Sequence, residues 1–362
     1  PSCSNPLQHV LKPTHIQGVS IEDLAAQFGT PLYLYDGEKI VHQINALQKA
    51  FTAVPLRIKY ATKALSSLGI LRLIRKAGAE LDAVSIEEVK LGLLAGSSPS
   101  EIMYTPSGVS FAEIQEAVQI GVMVNVDSLP LLEKFGQTYG STVPVCIRIN
   151  PHILAGGNLK ISTGHKDSKF GISIEQLPQI LELVKRYQIP VAGLHLHTGS
   201  DIYDAAVFLK GGNVLFEAAM QFPDLRFLDF GGGFKVAYSS EDKATDIPEL
   251  GRIVSAAFQE FCKTYGRQLE LWIEPGKFIV SEAGYLLVQA TVVKETPTLN
   301  FVGVDSGLNH LIRPMMYDAY HHIYNLNNPT GDLNTYTVVG YICETDTLGS
   351  QRELNTVKEG DL

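Results

Sequence analysis

The stretch Ile58-Lys59-Tyr60-Ala61-Thr62-Lys63-Ala64-Leu65 decides how this chain is read. Apolar residues alternate with polar ones up to Tyr60, the period of a half-buried strand, and a helical stretch begins at Ser66. Lys63 therefore stands where a strand hands over to a helix. Alone, such a lysine is a solvated loop side chain, as Lys90 and Lys134 are on amphipathic helical stretches. At the carboxyl end of a barrel strand the same residue points into the active-site mouth. Partial desolvation there makes its amine a nucleophile able to form an imine.

The surrounding pattern selects between the two. Strand-like runs recur at 56–62, 79–84, 101–105, 122–127, 143–150, 191–197, 226–230 and 269–274. Helical periodicity is clearest at 66–77, 86–95, 110–120, 174–187, 204–221 and 247–265. Eight strand-then-helix repeats over about 220 residues match a (β/α)8 barrel, typically about 250 residues long. The expected class is α/β, a TIM-like barrel with a second β-rich domain. A doubly wound open sheet is the competing architecture; no G-x-G-x-x-G follows the first strand, which counts against it.

Upstream, Ile21–Phe28 reads as a short helix ending at Gly29, Pro31–Asp36 as a strand and 37–52 as a helix. Beyond residue 276 the segments 277–293, 300–305 and 335–343 are rich in Val, Ile, Tyr and Thr between turn residues, as strands are. The expected division is a barrel over 30–276, with 1–29 and 277–362 forming the second domain.

The totals exclude several classes. The 362 residues, 45% hydrophobic, carry a formal net charge of −9 with no long basic run, so nucleic acid and anionic membrane are poor partners. No apolar run approaches the roughly 20 residues of a membrane span, and no charged-then-apolar leader is visible, so a cytoplasmic location is expected. Cys3, Cys146, Cys262 and Cys343 lack C-x-x-C spacing, and neither His195/His197 nor His321/His322 has helical i, i+4 spacing. No metal site is expected on that ground.

In a barrel, the residues ending the strands converge: Lys63, Ser85, Thr105, Asp127, Asn150, His197, Gly231 to Gly233 and Glu274. The glycine triplet follows the seventh strand and Glu274-Pro275-Gly276-Lys277 the eighth, where barrels place phosphate sites. An amine for an aldehyde, a backbone cradle for phosphate and an acid for a pyridine nitrogen together suggest pyridoxal 5′-phosphate. A carboxylate at the Glu274 position would keep that nitrogen protonated, and His197 could stack on the ring.

Six segments then carry a resemblance: Tyr60-Ala61-Thr62-Lys63-Ala64, Ser162-Thr163-Gly164 with Ser168-Lys169-Phe170-Gly171, His195-Leu196-His197-Thr198-Gly199-Ser200, Asp229-Phe230-Gly231-Gly232-Gly233-Phe234, Glu274-Pro275-Gly276-Lys277 and Gly340-Tyr341-Ile342-Cys343-Glu344-Thr345. From about Pro31 onward the chain resembles the fold-type III, alanine-racemase-like pyridoxal-phosphate decarboxylases, most closely the branch acting on meso-diaminopimelate in lysine biosynthesis. The resemblance implies that Lys63 binds the cofactor's aldehyde, His197 stacks on its ring, and Ser200, Gly233 and Gly276 bind its phosphate. It implies that Glu274 pairs with the ring nitrogen and that Asp82 and Arg148 brace the surroundings. Arg313 and Tyr317 match positions gripping the substrate's far carboxylate, a group that suits a bidentate guanidinium. Cys343, the proton donor, and Glu344, the holder of the distal ammonium, match a segment reaching the neighbouring subunit, implying a homodimer with shared sites.

The sequence departs from the family pattern twice. Lys277 stands where arginine is usual, which keeps the charge for a substrate-binding role but loses the fork, and the sequence ends at Leu362 before an A-G-A-Y segment that closes the family's site. Rival readings are decarboxylation of ornithine, arginine or carboxynorspermidine, a racemase, and a non-catalytic regulatory relative. Arg313 argues against ornithine, which has no distal carboxylate. Glu274 argues against a racemase, and Lys63, Glu274 and Cys343 together argue against a binding-only relative.

Overall fold

A computed structural model describes residues 13–153, 163–166 and 168–362; Ser162, quoted above, lies outside the described residues. The described residues open with a short antiparallel pair, β1 (His15–Ile16) and β2 (Val19–Ser20), followed by α1 (Ile21–Phe28). Ser20 caps α1 by accepting from the Asp23 N–H, and Gly29 ends it at φ 78°. Next come β3 (Leu32–Tyr35) and α2 (Gly37–Ala50).

The barrel strands follow: β4 (Leu56–Ala61), β5 (Glu80–Ala83), β6 (Ile102–Tyr104), β7 (Met123–Val126) and β8 (Val145–Asn150). Their intervening helices are α3 (Leu68–Lys76), α4 (Ile86–Leu94), α5 (Phe111–Ile120) and α6 (Leu129–Tyr139). A short β9 (Ile172–Ser173) pairs in parallel with the end of β8 and precedes α7 (Leu177–Tyr187). Then come β10 (Val191–His195), α8 (Ala205–Ala219), β11 (Phe227–Asp229), α9 (Ile247–Tyr265) and β12 (Glu270–Ile273). All neighbours pair in parallel, β10 beside β8, and β12 closes on β4 with Trp272 opposite Arg57. The expected closed eight-stranded barrel is the fold observed.

Its interior is layered because alternate strand residues face inward. At the amino-terminal end, Arg57 reaches Glu80 at 2.7 Å and Glu270 at 2.9 Å. Above them Met103, Cys146, Ala192, Phe227 and Trp272 form an apolar cluster, the last two rings stacked with centroids 3.5 Å apart. Gly193 leaves room for that stack, since a Cβ there would lie 2.2 Å from the Phe227 ring. Lys59 is buried in the same region, its Nζ 2.5 Å from Glu80 Oε2 and 4.2 Å from the Trp272 ring centroid.

After β12 come the short helix α10 (Lys277–Val280), a 3-10 turn over Ser281–Ala283, β13 (Gly284–Leu287), β14 (Ala290–Glu295), β15 (Asn300–Val304), α11 (Arg313–Tyr317), β16 (Leu333–Val339) and β17 (Thr347–Asn355). The strand-like reading of 277–293 is thus corrected over 277–283. Phe278, Ile279 and Val280 are all buried, and a continuous apolar run does not separate helix from strand by period. Residues 340–343 likewise leave the strand expected over 335–343 and enter a loop. Strand β17 escaped the pattern because its Gly-Ser-Gln-Arg-Glu centre is polar, although it pairs antiparallel along most of β16.

The chain divides into two compact units: residues 37–236 with 243–282, which hold the barrel, and residues 1–36, 237–242 and 283–362. Strand β3, assigned above to the barrel segment, pairs with β13 and belongs to the second unit. That unit also contains the sheet β14-β15-β16-β17, packed around Val302, Val304, Tyr336, Val338 and Leu354. Among the described residues no helix is long and apolar enough to cross a membrane.

Candidate active site

One step beyond the apolar layer, the inward positions become polar. Asp82, Arg148, His195, Asp229 and Glu274 each lie two residues past an interior residue of the lower layers: Glu80, Cys146, Gly193, Phe227 and Trp272. The pleat therefore turns them to the same face, and all five are buried. Lys63 follows on a 3-10 turn (Thr62–Ala64) at the end of β4 and is exposed. Its charge acts on Asp82, His195, His197 and Glu274, so the amine stands within electrostatic reach of the layer.

Three carboxyl groups thus share low-dielectric surroundings with one guanidinium. Burial pushes Glu274 up to about 8, with the Asp82 charge adding to the effect, and pushes Asp82 up to about 7. Burial, followed by the charge of Glu274, raises Asp229 well above the usual carboxylate range. The same desolvation lowers Arg148 against the pull of Glu274, Asp127 and Asp82, drops His195 to about 3 and holds His197 well below its ordinary value. Both imidazoles are neutral, and a hydrogen bond assigns the proton of His197. His197 Nδ1 accepts from the Gly232 N–H at 3.2 Å, so its proton is on Nε2.

Glu274 has two unlike oxygens. Oε2 lies 3.0 Å from His195 Nε2, while Oε1 is buried without a hydrogen-bond partner. An orphaned buried carboxylate oxygen is costly unless a ligand completes it. His195, Asp229 and Glu274 bring one ligand atom each within 4.8 Å of one another, the donor set of a cation site. Helical spacing could not reveal this cluster, because three different strands build it. Arg148 contributes positive charge beside it, which favours a partner of Glu274 other than a free cation.

The loops above the layer are knit backbone to backbone. Gly231 O accepts from the Glu274 N–H at 2.8 Å, and Gly233 O from the Ile202 N–H at 2.9 Å. A Cβ on Gly232 would lie 2.0 Å from Glu274 O, and one on Gly233, at φ 92°, 2.0 Å from Gly199 O. The triplet is therefore required by loop packing in its own right. Gly276 is the N-cap residue just before α10, and Ser200 follows Gly199 in the chain. Lys277 Nζ is paired with Asp201 at 2.7 Å, a partner the sequence did not suggest. Ser85 is spent as the cap of α4, accepting from the Glu88 N–H at 3.2 Å while Glu88 reaches back to the Val84 N–H.

In the second unit, Arg313 and Tyr317 begin and end α11. An Arg313 N–H donates to His321 Nε2 at 3.1 Å, and the guanidinium lies 4.6 Å from the Tyr238 ring centroid. Burial, aided by Arg313 and Arg352, lowers His321 to about 4 and keeps it an acceptor. Cys343 and Glu344 are exposed in the loop between β16 and β17. Buried Asp346 secures this loop, accepting from the Leu308 N–H at 2.7 Å.

Comparison with known proteins matches residues 37–281 to the pyridoxal-binding domain of the pyridoxal-dependent decarboxylases. The chain belongs to the pyridoxal-dependent decarboxylase family. Within that family it is 33% identical over 357 residues to a diaminopimelate decarboxylase of Methanothermobacter thermautotrophicus, covering 96% of this chain and 83% of the relative. Among solved structures, it superposes on diaminopimelate decarboxylase from Helicobacter pylori complexed with L-lysine, at TM-score 0.83 and 32% identity, covering 94% of this chain and 86% of that one. A Vibrio vulnificus lysine/ornithine decarboxylase complexed with putrescine matches at TM-score 0.81 and 26% identity, covering 94% and 89%. The family's cofactor is pyridoxal 5′-phosphate. The residues here fit it: an exposed amine at a barrel strand end, the unpartnered Oε1 for a ring nitrogen and neutral His197 beside the glycine loops.

Proposed function

We propose that this chain removes one carboxylate of meso-2,6-diaminopimelate, at its D centre, giving L-lysine and carbon dioxide in lysine biosynthesis. The observation that carries the reading is Glu274: a buried acid at a barrel strand end, one oxygen tied and the other open, with Lys63 acting on it. Pyridoxal phosphate bound there would supply an aldehyde to hold the substrate's amine and a ring to accept the electron pair left on the substrate carbon when the carboxylate departs as carbon dioxide. Lys63 Nζ would hold the aldehyde between turnovers. Glu274 would pair with the ring nitrogen, His197 would stack on the ring, and Ser200, Gly233 and Gly276 would bind the phosphate. Asp82 and Arg148 fix the charge around Glu274. A proton returns to the reacting carbon from Cys343 Sγ or Lys63 Nζ.

Arg313 and Tyr317 hold the distal carboxylate, Glu344 the distal ammonium, and Lys277 shares in the charge around the substrate. Support for the Arg313 role is its setting: the Tyr238 ring and the neutral His321 acceptor fix the guanidinium plane. Purified protein offered meso-diaminopimelate, ornithine and arginine should release carbon dioxide from the first alone. Arg313→Ala should raise its KM on the order of 100-fold, the scale of losing one partner of a bidentate charge pair. Release from ornithine instead would favour the relation to the lysine/ornithine enzyme and remove the distal-carboxylate role.

The active form is a homodimer in which Cys343 and Glu344 serve the neighbouring subunit's site; their exposure on a loop secured by Asp346 supports this. A monomer mass by sedimentation at assay concentration, with full activity, would rule it out. A location in the cytoplasm follows from the biosynthetic role.

A further inference from the structure

We propose that His195 is a positioning residue that presents Glu274 Oε1 to the ring nitrogen of the bound cofactor; this rests on the reading of Glu274 given above. His195 ends β10, and Glu274 follows β12, with only β11 between them in the barrel wall. Both are buried, His195 fully, and the Nε2 to Oε2 distance is 3.0 Å. A carboxylate with neither oxygen held can rotate about its last torsion and offer either. With Oε2 tied, Oε1 is the atom left to the ligand, and Oε1 is the unpartnered one.

The bond also has a direction. Opposite a protonated ring nitrogen Glu274 would be a carboxylate, whose Oε2 can only accept, so His195 would then carry its proton on Nε2, leaving Nδ1, which has no partner, as the bare nitrogen. A neutral imidazole donating to the charged form favours the carboxylate without adding a cation that would repel a protonated ring nitrogen. The other groups around Glu274 are Asp82, Arg148, Asp229 and Lys63. Asp229 is the competing neighbour: its Oδ1 takes the Gly231 N–H at 2.9 Å, while its Oδ2 has no hydrogen-bond partner and its carboxyl acts directly on Glu274. Residue 195 lies on the same strand face as His197, so one strand supplies both the ring-face imidazole and the residue holding the acid.

The test reads cofactor affinity, not turnover. Apoprotein is titrated with pyridoxal phosphate and with its 1-deaza analogue, in which C–H replaces the ring nitrogen. Wild type should bind the natural cofactor on the order of 100-fold more tightly, the scale of one charge-assisted hydrogen bond. His195→Phe should reduce that ratio to below about 10-fold while leaving analogue affinity nearly unchanged, and His195→Gln, which keeps an N–H of similar reach, should restore it. A full ratio in His195→Phe, or equal losses for both ligands, would overturn the inference. No preference in wild type would instead remove the reading of Glu274, and the inference with it. A second measurement covers variants that fail to fold: ring-15N histidine spectra of the wild-type holoenzyme should show His195 neutral with its proton on Nε2. A proton on Nδ1 would also overturn it.

Discussion

Lys63→Ala is expected to abolish carbon dioxide release, by about 10⁴-fold or more, the scale on which losing a covalent catalytic group acts. It should also abolish the borohydride-stable attachment of pyridoxal phosphate to the chain. Strand β4 and the turn after it carry two lysines, and the structure separates their tasks. Lys59 is enclosed, lies 2.5 Å from Glu80, and faces Trp272; its desolvated amine is lowered but paired. Lys63 is exposed on the turn beyond the strand, with the buried carboxyls of the polar layer within its field. Because Lys63 is exposed, its truncation should leave the fold within about 0.5 kcal/mol of wild type. Peptide mapping after borohydride reduction checks the assignment. Label on Lys59, or persisting turnover in a folded Lys63→Ala protein, would refute it.

The barrel was legible because each of its strands is a short apolar or alternating run followed by a helix-period segment. The residues ending those runs could therefore be named without coordinates. What strand ends do not reveal is division of labour. Ser85 and Asn150 end strands as Asp127 does, yet one caps α4 and the other holds a turn by donating to His165 O and accepting from the His152 N–H. His195 and Asp229 stand within the quoted motifs, but neither is the last residue of a strand-like run. Counting back two residues from His197 and from Gly231 would have placed both on the inward face. Their role depends on a hydrogen bond between strands remote in sequence, which no local period encodes. The second unit was less legible for the same reason. Strand β17 buries Gly349, Leu354 and Asn355 against β16 but exposes Ser350 and Gln351, so its pattern resembles a polar loop. Asp346 lies just outside the Gly340–Thr345 motif, yet it secures the loop carrying Cys343 and Glu344.

Glu274→Gln should lower turnover on the order of 10³-fold, as removal of one preorganised electrostatic group does, and yet make the apoprotein less sensitive to alkaline pH. Burial raises this carboxyl from 4.5 to about 8. Between those values the folded apoprotein holds a proton that the unfolded chain has released, so stability is greatest below the unfolded value and declines as pH rises through the window. A glutamine holds no such proton. Thermal unfolding of apoprotein at pH 5.5 and 8 should show the wild type losing several degrees more than Glu274→Gln between the two. Asp82, raised to about 7 in the same layer, keeps part of the decline in the variant. Bound cofactor should flatten the wild-type dependence, since a cationic ring nitrogen opposite Oε1 favours the charged carboxylate. That effect should be missing in Glu274→Gln even where the cofactor saturates. Equal pH slopes for the two apoproteins would mean that Glu274 is ionised in the empty site, and its pairing with a protonated ring would then have to begin from a charged acid.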